Sequence, residues 1–497
     1  MCFTLVMTPT PSGPHPDRPS PAAGGVLALD LGTGSVKVGL IGPGGEVLAS
    51  ASRPYPVRAD RPGWAESLPG EWWAATVDAT REVRAARPDV AVRAVGLSGQ
   101  MHGVVLSGAN GEALRGAVLW SDGRSTAELA RYRALPEARQ EALRNPAVTG
   151  MAGPTLLWLA RHEPEVLARA RWALQPKDWL RLHLTGEAFS DPSDASGTLL
   201  YDLTRDAWDH ALLTDWGLDA RLLPPLRASG AQAGHLQARA ATALGVPAGL
   251  PVATGAGDTA ASLLAGGLPD GEAQLTVGTG AQIVQPSGTL PGPVTGGHVF
   301  RDAGRGWYAL AAVQNAGTAL EWARRALNLS WPDFYAAAQA AGPLQGPVFL
   351  PFVTGDRTPH LDAHARAGWI GAGLEHDARH LARAAFEGVA LSISAAAAVL
   401  PLRPGPLWLA GGGTSDPWWR QLLADALRRD LRPVAVPGAS LVGAGLLAWQ
   451  ALGHHPDRPP LTGSAPVTAR EDGIPAGTRA RFTAAYPALK DWFRSPA

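Results

Sequence analysis

The sequence predicts an α/β protein of two lobes that share a duplicated architecture, on three observations. The chain has 497 residues, more than one hydrophobic core serves and enough for two domains of ordinary size. A strand, a Gly-Thr-Gly turn and a second strand occur twice, at Gly32-Thr33-Gly34 and at Gly278-Thr279-Gly280, about half a chain apart. Both halves also mix short apolar strand patterns with helical ones, which places strands and helices in each lobe.

Taken in order, residues 8–23 are dense in Pro and Ser with no periodic apolar face, so 1–23 reads as a disordered tail in which Met7 is an alternative start. From Gly24 the texture changes, and strands at 26–31, 35–41 and 46–49 joined by Gly-rich turns predict a meander. Helical patterns follow at 70–86 and 145–162, with short strands at 94–98 and 117–120. Turn residues cluster over 266–271, which divides the chain into a first lobe, 24–268, and a second, 269–455, followed by a tail over 456–497. The second hairpin spans 272–285 and leads to helices at 317–327 and 378–400 and a strand at 407–410. That strand runs through Gly411-Gly412-Gly413 into a well-specified helix. Asp416 is its candidate N-cap, Pro417 suits the first helical position, and Trp419, Leu422, Leu423, Ala426 and Leu427 share one face.

Composition excludes several classes. Lys+Arg and Asp+Glu both total 43, and without a basic stripe no nucleic-acid partner is expected. The single cysteine, Cys2, forms no internal disulfide, and no Cys/His group has zinc spacing, so a reducing cytoplasm is the expected compartment. The start lacks the basic region and small-residue cleavage site of a signal peptide. The longest weakly polar run, 441–453, falls short of the ~20 residues of a membrane span, so no membrane partner is expected either.

Phosphate binding without a large basic surface needs backbone N–H groups aimed at one point. No G-x-x-x-x-G-K-[ST] occurs, and the lysines, at 37, 177 and 490, lie in no such loop, which excludes a P-loop. The glycines at 411–413 follow a strand and precede a helix but lack the rest of a dinucleotide fingerprint. What remains is one hairpin turn from each lobe, gripping phosphates from two sides, with Asp30 at a strand end as a ligand for Mg²⁺, directly or through water. Each turn alone is also what any tight turn looks like. Asp258, read on spacing alone, is best taken as the N-cap of a helix over 259–264; a carboxylate there also suits removal of a proton from a hydroxyl nucleophile.

The segments DLGTGSVKVGL, GLSGQMHGVVL, LWSDGRS, PKDWLRLHLTGE, SDASGTLLYDL, GAGDTAA, VGTGAQ, GDRTPH, ARAGWIG and LAGGGTSDPWWRQLLAD occur in the order found in the FGGY carbohydrate kinases, and over 26–449 the chain resembles that family. The resemblance implies the actin-like ATPase (ribonuclease H-like) fold, two duplicated domains around a deep cleft, with ATP and Mg²⁺ as cofactors. It implies that Asp30, Gly32 and Thr33 face the phosphates and Mg²⁺. Gly278 and Thr279 match the second phosphate motif; Gly280 and Ala281 stand where the family often has Ser and Gly, so the hydroxyl contact rests on Thr279. Gly412 and Gly413 match the loop against adenosine, with Thr414 in place of the commoner Ala. Asp258 matches the general base, and an ordinary Asp, already ionised at pH 7, needs no special pKa for that role.

Gln100-Met101-His102-Gly103 resembles the branch that phosphorylates D-xylulose to D-xylulose 5-phosphate, so Met101, His102 and Gly103 are expected to line the sugar pocket, with Asp122 and Arg124 near the cleft as candidate sugar contacts. The sugar is expected mainly on the first lobe and ATP mainly on the second. A homodimer is compatible with the resemblance. The alternating His360, Asp362 and His364 look like metal ligands, but they lie in a family loop not known for metal. Other FGGY substrates (ribulose, gluconate, fuculose, a tetrulose) are the nearest rivals. A non-catalytic sugar sensor is a further one, disfavoured because Asp30 and Asp258 are both present.

Overall fold

The computed structural model describes residues 24–342, 346–435, 437–456, 461 and 463–495; the Pro-rich stretch 1–23, expected to be disordered, lies outside the described residues. The chain enters on β1 (Gly25–Leu31), passes through Gly32-Thr33-Gly34 into antiparallel β2 (Ser35–Ile41) and continues to β3 (Val47–Pro54). Every residue of β1 is buried because both faces of the sheet are covered, which is why it reads as an apolar run interrupted only by Asp30. α1 (Pro69–Ala86), with proline in its first turn, lays Trp72, Ala75, Ala79 and Val83 on the sheet. β4 (Val92–Gly99) then returns parallel to β1.

The helix expected from residue 145 begins later, as α2 (Ala152–His162). Two features hold 145–150 out of it. The Asn145 amide donates to the Val299 carbonyl at 2.8 Å. Gly150 has φ +79°, and a Cβ there would meet the Trp120 carbonyl oxygen at 1.9 Å. The strand expected at 117–120 shortens to Ala117–Val118. After α3 (Pro176–Thr185) come β5 (Gln232–His235) and β6 (Pro251–Ala253), giving the order β5-β6-β4-β1-β2-β3, and the short strand Ala256–Gly257 also pairs with β4. α4 (Asp258–Gly266) follows.

The second sheet repeats the plan. β7 (Gln274–Val277) turns through Gly278-Thr279-Gly280 into β8 (Ala281–Ser287), and β9 (His298–Arg301) and β10 (Trp307–Val313) extend the antiparallel side. α5 (Gly317–Ala326) and α6 (Ala378–Ala397) precede β11 (Leu407–Ala410), α7 (Pro417–Leu427) and β12 (Leu431–Pro433), for an order β9-β10-β8-β7-β11-β12. In both sheets an antiparallel hairpin joins edgewise to parallel strands, β1 with β4 and β7 with β11. The predicted duplication is therefore a duplication of topology. α6 stops short of the expected 400 because its last turn tightens into i→i+3 bonds, Val399 to Ala396 and Leu400 to Ala397, ahead of Pro401.

α8 (Ala439–Ala451) leaves the second sheet and packs on β1 and β4 of the first, crossing α4. Small residues make the approach: a Cβ on Gly96 would meet the Ala444 carbonyl oxygen at 1.9 Å, and one on Gly443 the Ala261 carbonyl oxygen at 2.0 Å. Among the described residues no helix is long and apolar enough to cross a membrane.

Residues 456–497, expected as a tail, contain α9 (Ala476–Arg494), whose Phe482, Ala485 and Tyr486 join the core of the second sheet. His360 and Asp362 anchor it: the Tyr486 hydroxyl donates to Asp362 at 2.8 Å, and its ring stacks on His360 at 3.7 Å.

Candidate active site

The loops singled out in the sequence all sit at the carboxyl ends of the central parallel strands, where α/β sheets bind ligands. Gly32-Thr33 follows β1, Gln100 to Gly103 follow β4, Gly278-Thr279 follow β7 and Gly411 to Gly413 follow β11. Asp30 and Ser98 are register partners on β1 and β4, and Ser98 is also the partner of Ala256, two residues before Asp258.

Asp30 is 8% exposed, and its Oδ1 accepts from Ser98 Oγ at 3.0 Å and from Ser440 Oγ, at the start of α8, at 2.7 Å. One carboxylate oxygen is thus tied down, and Oδ2 accepts no hydrogen bond from the described residues. Asp258 is the first residue of α4 rather than its cap, a position held by Gly257. Its Oδ1 accepts from the Thr259 amide at 2.6 Å and the Thr259 hydroxyl at 3.2 Å. Burial, and then the negative Asp30, push its pKa up to about 6. The expected ordinary value is thereby corrected, while the carboxyl stays mostly ionised at pH 7 as expected.

Asp258 opens on a cavity of about 140 Å³ between the two sheets. The first half of the chain supplies Gln100, Met101, His102, Trp120 and Thr259; the second supplies Gln282, His298, Phe300 and Arg357 among others. Most of the polar lining comes from the first lobe, and the second closes one wall. Met101 and His102 line the cavity as expected. Gly103 does not, and serves the backbone: its amide closes onto the Met101 carbonyl at 2.9 Å around His102, whose φ is +72°. That is a three-residue γ-turn of the strained, positive-φ kind.

His102 Nδ1 lies 2.6 Å from the Gly197 carbonyl, which only accepts, so Nδ1 carries the proton and Nε2 is left as an acceptor. Burial lowers its pKa to about 4, with Arg357 adding to the effect and the Gly197 carbonyl opposing it. His298 repeats the pattern. Asn145 Oδ1 accepts from the Val299 amide at 3.1 Å and lies 3.2 Å from His298 Nδ1, which leaves the buried Nε2 without a partner. Burial, then Arg357 and His102, hold it neutral. Gln282 and Arg357 fall inside the segments VGTGAQ and GDRTPH without having been singled out there, and nothing in the local sequence marks His298.

A second cavity, about 770 Å³, is lined by Gly411, Gly412, Thr414, Arg420, Val434 and Gly438 among others. Gly411 has φ +103°, and its Cβ would meet the Val277 carbonyl oxygen at 2.2 Å; Gly413 packs on the same carbonyl. The glycine loop therefore lies directly beside the Gly278-Thr279 turn, whose residues are exposed. Gly438 connects this cavity to Asp30 through Ser440. Thr33 accepts from Trp120 Nε1 at 2.9 Å, and the Gly32 carbonyl accepts from Gln100 and Tyr55, so the first turn is fastened to the wall of the smaller cavity.

Asp122 and Arg124 take no place in the small cavity. They pair with each other in two bonds of 2.8 Å, and the Arg124 guanidinium stacks over Trp64 at 3.6 Å. The other group that sequence reasoning missed is a buried ionic cluster. Lys177 reaches Asp178, Asp191 and Asp194 at 2.6, 2.8 and 3.1 Å, and Arg181 reaches Asp178 at 2.7 Å, all fully buried. Three acids face two cations. Burial, with Asp178 and Asp191, pushes Asp194 well up against the opposing pull of Lys177, which favours its neutral form in a cluster of three acids and two cations. From Asp191 the bonds run through Ser193 Oγ to the Gly257 amide at 3.0 Å, which fixes the backbone next to Asp258.

The sequence profile of the FGGY family of carbohydrate kinases matches this chain twice, its N-terminal domain at residues 25–265 and its C-terminal domain at 275–452. The chain belongs to the FGGY carbohydrate kinases. This FGGY chain is 36% identical over 451 residues to a protein named xylulose kinase from Klebsiella pneumoniae, covering 89% of this chain and 93% of the relative. It is 36% identical over 407 residues to one of the same name from Escherichia coli, covering 80% and 84%. Among solved structures it superposes on a kinase from Brucella ovis described as a "xyloylose kinase" with a TM-score of 0.85 at 33% identity, over 94% of this chain and 99% of that one. The fold is that of the FGGY kinases, and the chain is an ATP-dependent carbohydrate kinase.

Proposed function

We propose that this FGGY kinase transfers the γ-phosphoryl group of ATP to the C5 hydroxyl of D-xylulose, giving D-xylulose 5-phosphate, with Asp258 as the general base. The observation that carries the reading is the position of Asp258: one oxygen held by Thr259, the other open, between the small cavity and Asp30. The relatives named xylulose kinase supply the substrate.

On this reading residues 24–268 contribute the base and most of the sugar-side polar groups, and 269–455 the nucleotide pocket and the closing wall. The C5 oxygen forms a bond to phosphorus as the bond to the β-phosphate oxygen breaks and ADP departs, and Asp258 takes the hydroxyl proton. His102 accepts a hydrogen bond from a sugar hydroxyl through Nε2, and Met101 gives an apolar wall. Gly32 and Thr33 face the phosphates from one side, Gly278 and Thr279 from the other, and Gly412 and Gly413 border adenosine. Mg²⁺ fits at Asp30, a hard oxygen donor with one oxygen fixed and one open; when bound it neutralises charge on the phosphates. Enclosure between the two sheets keeps water from competing for the phosphoryl group. A reducing cytoplasm, where ATP is the common phosphoryl donor, suits this chemistry.

The test is ATP consumption over a panel of ketopentoses, pentitols and aldonates, with Asp258→Ala alongside. D-xylulose is expected to be the best acceptor, and the variant to lose about 10²-fold or more in kcat. A better acceptor than D-xylulose, or turnover indifferent to the substitution, overturns the reading.

A further inference from the structure

The chemistry of the substrate makes a demand on the cavity. A 2-ketopentose can close a five-membered ring only through its C5 hydroxyl. If that hydroxyl receives the phosphoryl group, the sugar reacts as an open chain with a free ketone at C2. A ketone oxygen only accepts hydrogen bonds, so its recognition needs a donor.

Most polar groups facing the cavity offer the wrong partner or are already engaged. Asp258 and the Nε2 atoms of His102 and His298 are acceptors suited to hydroxyls. Trp120 gives its N–H to Thr33 at 2.9 Å, and Gln100 gives an amide hydrogen to the Gly32 carbonyl at 3.2 Å. Gln282 offers a neutral amide donor from the second half of the chain, not a charged one. Arg357 differs. It lines the cavity from the second half of the chain, its guanidinium carbon lies 5.2 Å from the Trp120 ring centroid, and no carboxylate of the described residues pairs with it.

Its place is fixed by its neighbours. The adjacent Thr358 donates its amide to the Ala312 carbonyl at 3.0 Å and its hydroxyl to the Gly296 carbonyl at 2.8 Å, while the amides and carbonyls of Asp356 and Asp362 pair across the loop. Arg357 acts electrostatically on His102 and His298, whereas the charge acting on Asp258 is Asp30. Arg357 thus shares the cavity wall with the two neutral imidazoles, His102 and His298.

Resting on the xylulose reading above, we propose that Arg357 is the specificity-determining residue for the ketone end of the open-chain sugar, donating a charged hydrogen bond to the C2 oxygen. It separates ketoses from pentitols, which lack an acceptor-only oxygen there.

Arg357→Met and Arg357→Lys test this with D-xylulose as substrate and xylitol and D-xylonate as competitors. The expected result is a rise of roughly 10- to 100-fold in KM for D-xylulose in the Met variant, from loss of one charged hydrogen bond. A smaller rise, about three- to tenfold, is expected in Lys, which keeps a charge and a donor but loses the planar fork. kcat should fall less than KM rises, and competition by xylitol should change by less than about threefold. Equal weakening of xylulose and xylitol, or an unchanged KM, overturns the proposal. So does tighter binding of D-xylonate than of D-xylulose to the unmodified protein, which would make Arg357 a carboxylate site. If the Met variant fails to fold, the Lys variant decides by the same KM and xylitol readouts. A wild-type protein inactive on D-xylulose defeats the underlying reading and this one together; an active wild type with an indifferent Arg357→Met defeats this one alone.

Discussion

Asp258 holds its proton more tightly in the folded chain than it would unfolded, because burial and Asp30 both oppose its charge. Folded-state affinity raised to about 6 from an ordinary carboxyl value means that stability is lost as pH rises from about 4 to 6 and stays lost above. Asp258→Asn removes that cost. Denaturation at pH 7.5 should show the variant more stable than the wild type by up to about 3 kcal/mol, with the difference gone near pH 4. Equal stability at both pH values would mean the carboxyl is not strained as described. Residue identity was only partly legible. The Gly-Asp-Thr run gave Asp258 two readings, a cap or a base, and family resemblance favoured the second. The raised pKa was not visible, because it depends first on burial between the two sheets and then on Asp30, more than two hundred positions away.

Among elements, those with strong local signals were read to within a residue or two. β11 and α7 came out as expected, with Asp416 Oδ1 accepting the Trp419 amide at 3.0 Å as an N-cap should. α2 was misplaced at its start and α9 was missed, and in both the deciding contacts are distant: Asn145 with Val299, Tyr486 with Asp362. The glycine loop after β11 shows a local signal with a tertiary cause, since Gly411 needs both its positive φ and its missing Cβ against Val277. Gly411→Ala is therefore expected to push the loop off the Gly278-Thr279 turn, raising KM for ATP about tenfold or more while leaving KM for the sugar within a factor of about two. Steady-state kinetics with each substrate varied in turn checks this; equal effects on both would count against a nucleotide role for the loop.

At the scale of the whole molecule, the duplicated α/β plan was legible because the Gly-Thr-Gly hairpins repeat, whereas the cleft was expected only from the family resemblance. The way the halves lock together was not. α8 reads as a mildly apolar run, and only the structure shows that its small residues, with Gly96 beneath them, let it lie on the first sheet and bring Ser440 to Asp30. Gly96→Ala should force α8 outward at the Ala444 carbonyl, costing about 1–3 kcal/mol in denaturant melts and weakening use of ATP–Mg²⁺ in parallel. A stable variant with unchanged KM for ATP would contradict this coupling.

The central claim is that the Asp258 carboxylate takes the proton of the attacking hydroxyl, and the pH dependence of kcat/KM for D-xylulose at saturating ATP–Mg²⁺ tests it most directly. The account predicts an acid limb of unit slope with a midpoint near pH 6, set by Asp258, and its disappearance from the residual activity of Asp258→Asn. A profile flat down to pH 4.5, or an acid limb that survives in Asp258→Asn, would contradict it.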